Sequence, residues 1–440
     1  MAQAEAKSGF FSQYFGWYFR INILTRIVVA LIAGATLGII LASMPAATAA
    51  AWAAKTKFFG DLFIRLLQMI VVPVIFFSVV GGAASLTPKQ LGRFGGKLMI
   101  LYLITTFIAV GLALIAANVF QPGMGLGVVG SAGAKAPAST PLPLATVLLN
   151  IVPANPFNSI VQGQLLPILF FAISFGISLA LIRASENPEI AKAGDTVFYF
   201  CSGSAEAMYK VVWGVMQYSP IGIFFLISAL FGVQGPKVIG SMFHVISVTF
   251  LVLIFHFIVI YGAIVKCCAG LSLKKYFMHI REASITAFVT RSSNATLPVT
   301  IRVMENMGIP RNVVSFAAPF GATVNMDGTA IYLGITVMYI ANAIGQPLGF
   351  DKQFMVALMA TLGSIGAAGV PGAGLIMLLM CLEGVGLKVE AGSAVAAAYA
   401  MMFAVDAILD MGRTCLNVTG DLALTPWVTK QEGVLDMSKW

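Results

Sequence analysis

The 440-residue sequence predicts an all-α polytopic membrane protein with eight transmembrane helices plus two re-entrant helical hairpins. Three observations predict it. The chain is 59% hydrophobic and only 10% charged, with a mean hydropathy of +0.93. A soluble domain carries about 25% charged residues, so this composition requires lipid as solvent. Apolar segments of about 20 residues, long enough to cross the hydrocarbon core, recur along the chain. Lys and Arg gather in alternate connections, the bias expected of cytoplasmic loops.

Residues 1–20 mix Phe10, Phe11, Tyr14, Phe15, Trp17 and Tyr18 with Lys7 and Arg20. With no signal-peptide pattern, they read as an interfacial segment leading into the first span. Spans are expected at roughly 22–43, 58–84, 97–120, 145–183, 198–232, 238–266, 312–344 and 391–427. Pro153, Pro156 and Pro167 should break the fourth into pieces. The Gly-, Pro- and Ala-rich stretch 121–144 reads as a flexible external loop.

Two further apolar stretches, 283–301 and 353–382, are interrupted by small polar or Gly/Pro residues. The charges decide how they run. Lys89, Arg93, Lys97, Arg183, Lys192, Lys266, Lys274, Lys275, Arg281, Arg302 and Arg311 fall on one side. Lys55, Lys57, Lys135, Lys237, Lys352 and Lys388 fall on the other. That division puts both termini in the cytoplasm only if each stretch enters and leaves by the same face. They are therefore expected as re-entrant hairpins, the first from the cytoplasm and the second from outside. Such backbone is tolerated at depth only where protein or a water-filled cavity surrounds it.

The net charge of +9 reflects basic loops and not a nucleic-acid surface, since no basic cluster is interleaved with aromatics. The five cysteines have no CxxC spacing and read as small hydrophobes, and the three histidines show no metal-ligand spacing.

The last span holds the densest chemistry. Asp406, Asp410, Arg413, Asn417 and Asp421 are 4, 3, 4 and 4 residues apart, which places all five on one helical face. Each charge at mid-bilayer costs about 2.5–3.5 kcal/mol on insertion scales, so this face must meet protein or an aqueous cavity. Three acids against one base leave surplus negative charge for a cation or an amine. Arg413 offers a fork for a carboxylate, and Asp410 could accept an ammonium. Thr414 and Asn417 add neutral hydrogen bonds. An ion-pair seam between helices is the plainer reading of the same face.

Gly321, Thr323, Asn325, Met326, Asp327, Gly328 and Thr329 suggest an unwound helix whose carbonyl and carboxylate oxygens suit a hard cation such as Na⁺. Ser292 and Ser293 at the first hairpin tip lead into a helix N-terminus suited to an α-carboxylate, though a plain loop reads the same. The second tip, Gly369 to Gly374, is Gly-hinged like a lid. Each hairpin precedes a span with an Asn/Asp motif, and the two enter from opposite faces. This is the trace of inverted repeats with a site at the midplane.

Together these segments resemble the excitatory amino acid (glutamate/aspartate) transporter family, above all its prokaryotic sodium-coupled aspartate members. The likeness runs over essentially the whole chain. It is carried by LQMIVVPVIFFSVV (67–80), NIVPANPF (150–157), AEAMYKVVWGVMQYSPIG (205–222), TRSSNATLPVT (290–300), NMDGTA (325–330), SIGAAGVPGAG (364–374) and DMGRTCLNVTGD (410–421). The resemblance implies a homotrimeric inner-membrane symporter, not an enzyme, importing L-aspartate or L-glutamate with co-transported Na⁺ by an elevator motion.

It further implies a scaffold of 21–84 and 145–236. The moving transport domain would comprise 85–120 and 237–428, followed by a cytoplasmic tail, 429–440. The substrate contacts carried over are Ser293, Thr329, Val370, Gly374, Asp410, Arg413, Thr414 and Asn417. A first sodium site maps to Gly321, Asn325, Asn417 and Asp421, and a second to Thr323, Met326, Ser364, Ile365 and Ala367. A third maps to Tyr102, Thr105, Thr106, Asn325 and Asp327.

Departures from the family pattern carry information. The archaeal Ser-Gly tip is Asn294-Ala295 here, and Ala367 replaces a frequent threonine. Leu333 stands where proton-coupled animal members have a glutamate, which favours sodium without protons. A C4-dicarboxylate or proton-coupled carrier of the same family is the alternative. An amine-free substrate would leave Asp410 unpartnered. An intramembrane aspartyl protease lacks its paired motif here, and a passive channel does not explain a substrate-shaped set of charges.

Overall fold

The computed structural model describes residues 21, 23–84, 94–129, 149, 151–364 and 372–440. Among them every regular element is helical. The interfacial segment 1–20, most of the 121–144 loop, Lys89, Arg93 and Lys135 lie outside the described residues, as do Ile365, Ala367 and Val370.

The first helices are α1 (Ile23–Ala42), α2 (Ala46–Ala84) and α3 (Gly96–Phe120). At 39 residues, α2 runs about 58 Å, well beyond the roughly 30 Å hydrocarbon core, and begins 12 residues before the expected span. The broken fourth span is α4 (Pro156–Gln162) and α5 (Leu165–Arg183). Asn155 caps α4, accepting from the N–H groups of Phe157 (3.0 Å) and Asn158 (3.2 Å), and Gly163 ends it at φ 65°. Next comes α6 (Pro188–Gln234), with Asn187 as N-cap.

The following span, α7 (Lys237–Cys268), widens into π-helix at His256–Ile260 and again at Ile264–Cys268. The first hairpin is α8 (Leu273–Thr290) and α9 (Ser293–Asn306), longer than its apolar core suggested. Its tip is two residues. Arg291 turns at φ 55°, and the Ser292 hydroxyl accepts from Ala295 N–H at 3.1 Å. Thr290 and Thr296 join hydroxyls across the tip at 3.1 Å.

The stretch expected as a seventh span is interrupted, as its Gly-flanked Asn/Asp pair suggested. Helix α10 (Arg311–Val324) stops at Asn325, and α11 (Asp327–Ala343) starts two residues later. Asn325 is extended (φ −85°, ψ 92°) and Met326 is non-helical. Helices α12 (Phe350–Ser364) and α13 (Ala373–Gly384) form the arms of the second hairpin, and α14 (Ala394–Gln431) closes the set.

Two packing groups emerge. Helices α1, α2, α5 and α6 lie against one another, with glycines setting the closest approach. A Cβ at Gly38 would strike Phe231, and one at Gly222 would strike Phe63. In the other group α11 is central, against α3, α7, α12, α13 and α14. All 17 of its residues are buried. Outward faces of α1, α3 and α7 expose Ile32, Ile104, Ile115, Phe243 and Leu251, the apolar surface that lipid demands. After α14 the chain folds back on the first hairpin. Asp436 N–H donates to Gly308 O (3.0 Å), and Trp440 Nε1 donates to Met307 O (2.8 Å).

Gly222→Val should overpack the α2–α6 seam at a cost of about 1–3 kcal/mol and lower the unfolding temperature in detergent. Gly240→Ala, where a Cβ meets nothing within 4 Å, should not lower it in the same thermal scan.

Candidate functional site

Helix α14 carries the expected stripe inward. Asp406, Asp410, Arg413, Asn417 and Asp421 are each at most 4% exposed. The guanidinium is held by its own helix. Arg413 Nη2 is 2.7 Å from Asp410 Oδ1 and Nη1 is 3.4 Å from Asp406 Oδ1. The guanidinium also lies 4.5 Å from the Tyr332 ring centroid, within cation–π range. Thr414 donates to Asp410 Oδ1 at 3.0 Å. Among the described residues, Asp410 Oδ2 is buried with no hydrogen-bond partner. The ion pairs thus lie within one helix and not in a seam between helices, and among the described residues they leave one carboxylate oxygen unsatisfied.

The second hairpin seats directly on this charge. A Cβ at Gly374, in the first turn of α13, would overlap the Arg413 guanidinium. Of the other expected substrate contacts, Ser293 is buried at the start of α9 and Thr329 in the first turn of α11. Val370 lies outside the described residues.

One turn along α14, Asn417 grips the helix break. Its Oδ1 accepts from the N–H groups of Gly328 (2.8 Å) and Thr329 (3.4 Å). Its Nδ2 donates to Thr329 Oγ1 (3.2 Å) and meets Met326 Sδ at 3.1 Å. A further turn on, Asp421 Oδ1 accepts from Asn325 Nδ2 at 2.9 Å. Gly321 is needed there, since a Cβ would overlap the Asp421 carboxylate. The residues expected as a first cation set, Gly321, Asn325, Asn417 and Asp421, therefore converge. Among the described residues, Asn325 Oδ1 is buried without a partner.

The third expected set converges in part. Thr106 Oγ1 donates to Asp327 Oδ1 at 2.6 Å, whereas Thr105 bonds back to Tyr102 O at 3.1 Å. The Tyr102 hydroxyl lies beside Asp421 and Thr425 without an aligned hydrogen bond. Of the second set, Thr323 Oγ1 is turned back to Phe320 O at 2.9 Å, and the Met326 sulfur faces Asn417. Ser364 ends α12, and Ile365 and Ala367 lie outside the described residues.

Two neighbours of Asp327 escaped the sequence. Tyr261 donates to Asp327 Oδ2 at 2.8 Å, and His256 Nε2 lies 3.3 Å from the same oxygen. They come from α7, whose π-helical turn brings residues five apart to one face. Apolar periodicity gives no sign of that turn. Asp406 was legible as part of the stripe, but its pairing with Arg413 across seven residues needed the side-chain rotamers.

The sodium:dicarboxylate symporter family model matches residues 23–431. The chain belongs to that family. Its members are transporters, and so is this protein. The proton/sodium-glutamate symport protein of Geobacillus stearothermophilus is 32% identical over 434 residues, covering 96% of this chain and 97% of the relative. The proton/glutamate-aspartate symporter of Escherichia coli is 33% identical, covering 86% of each. The C4-dicarboxylate transport protein of Rhizobium meliloti is 32% identical, covering 88% of this chain and 86% of the relative. Family membership gives the buried stripe on α14 its context as part of a symporter.

Asn417→Leu keeps the volume but strips the acceptor from two buried N–H groups. It should cost about 1–3 kcal/mol per unsatisfied group and lower the thermal midpoint of the purified protein. An unchanged midpoint would mean the Asn417 bridge does not hold α11 to α14.

Proposed function

We propose that the protein imports an acidic amino acid, L-aspartate or L-glutamate, together with Na⁺. The observation that carries this reading is the buried Arg413–Asp410 pair with one unsatisfied carboxylate oxygen. A substrate carboxylate takes the guanidinium fork, and its ammonium takes Asp410 Oδ2. Ser293, Thr329, Val370, Gly374, Thr414 and Asn417 complete the pocket. Cargo sodium is held in three sets, around Asp421 with Gly321, Asn325 and Asn417, around Asp327 with Tyr102, Thr105, Thr106 and Asn325, and by Thr323, Met326, Ser364, Ile365 and Ala367. Leu333, fully buried, offers no proton where animal relatives carry a glutamate.

In this reading residues 21–84 and 145–236 form the scaffold of a homotrimer in the inner membrane. Residues 85–120 and 237–428 move as an elevator, and both termini, with the 429–440 tail, lie in the cytoplasm. The separate packing of α1, α2, α5 and α6 supports that division. The second hairpin opens, sodium and the amino acid bind, the hairpin closes over Arg413, and the loaded domain slides inward.

The relatives include carriers named for C4-dicarboxylates. Such a substrate has no amine for Asp410, and that unpartnered oxygen favours the amino acid. Succinate should therefore compete poorly with aspartate for uptake.

Uptake into proteoliposomes should require Na⁺ and respond to membrane potential. Three sodium ions with one monoanion move two net charges, about 4.6 kcal/mol per 100 mV at ~2.3 each. Electroneutral uptake would contradict that stoichiometry, and sodium-independent uptake would contradict the reading. Arg413→Cys should lose at least about tenfold in affinity for acidic substrates, the worth of one charge-assisted pair, and keep some for neutral ones.

A further inference from the structure

His256 is fully buried, and neither ring nitrogen makes an aligned hydrogen bond. A buried imidazole left in that state is costly and calls for an explanation. Its position supplies one. The π-helical turn at His256–Ile260 brings His256 and Tyr261 to one face, packed edge to face with ring centroids 4.9 Å apart. Both address Asp327 Oδ2, the Tyr261 hydroxyl donating at 2.8 Å and His256 Nε2 standing off at 3.3 Å. A lone pair on Nε2 would repel the carboxylate, so this nitrogen carries the hydrogen. The other carboxylate oxygen accepts from Thr106 at 2.6 Å. The pair is built in from a third side as well. Gly420 leaves room for the Tyr261 hydroxyl, which a Cβ there would overlap.

We propose that His256, with Tyr261, is a positioning pair that competes with the cargo cation for Asp327 and so sets how tightly sodium is held there. The inference rests on the sodium-coupled reading above. A cation at Asp327 draws on the same oxygen lone pairs that the two donors address. While Tyr261 donates to Oδ2 and the polar edge of His256 stands beside it, the unloaded carboxylate is stabilised and the cation gains less by arriving. The pair thereby keeps affinity low enough for the ion to be released. The wide turn at His256–Ile260 is the means, since ordinary α-helical winding would carry residues five apart to different faces.

The test uses the full-length protein in lipid nanodiscs and titrates Na⁺, without amino acid, by intrinsic tryptophan fluorescence. His256→Leu removes the polar ring edge facing Asp327 and should lower half-saturating sodium about threefold, the low end of what one hydrogen bond is worth, since the contact is unaligned. It should also slow turnover in reconstituted uptake while leaving the amino-acid KM at saturating sodium unchanged. His256→Gln places an amide N–H near the same point and should stay within about twofold of the parent sodium response. Tyr261→Phe keeps the ring, loses only the hydroxyl, and should shift sodium in the same direction; it serves where His256→Leu is poorly recovered. Unchanged or weaker sodium binding in the donor-less variants, or equal shifts in His256→Leu and His256→Gln, would overturn the proposal. A parent protein without any sodium response would instead sink the sodium reading itself.

Discussion

The constraint behind this architecture is that one helix carries a guanidinium and three carboxylates into lipid depth, none more than 4% exposed. At about 2.5–3.5 kcal/mol for each charge on insertion scales, that helix cannot face lipid. The surrounding elements answer the demand in order along it. Asp410 and Asp406 neutralise Arg413 from within, the Tyr332 face covers it, Asn417 bridges to the start of α11, and Asn325 meets Asp421. The interruption at Asn325–Met326 belongs to the same answer. An unbroken helix would keep its N–H groups for itself, whereas this one turns those of Gly328 and Thr329 to the Asn417 side chain.

Much of this was legible because it follows from spacing. A 4-3-4-4 run of polar residues can occupy only one helical face, and all five residues are buried together. Glycines flanking an Asn/Asp pair signalled the break between α10 and α11, and three prolines signalled a broken fourth span. The break itself falls at Gly163 and Gln164, because Pro156 opens α4 and Pro167 sits in the first turn of α5, where proline is tolerated.

The remainder depended on features that apolar periodicity does not encode. The π-helical turns in α7 shift its phase without altering its composition, so His256 and Tyr261 read as ordinary interior residues. The extra length of α2 and of the first hairpin comes from amphipathic or polar turns beyond the apolar core, such as Leu273–Glu282, which hydropathy alone assigns to loops. Side-chain torsions decide the finer points. Adjacent threonines on α3 send their hydroxyls apart, Thr106 to Asp327 and Thr105 to its own backbone.

The seat of Gly374 against Arg413 has a consequence for what this position can tolerate. Because the helix presents only hydrogen there, backbone and cation are separated by no intervening side chain. Covering the charge and packing α13 against α14 thus rest on one and the same contact. Any side chain at 374 would have to displace the guanidinium, so the α13 backbone and the charge on α14 fix each other's position.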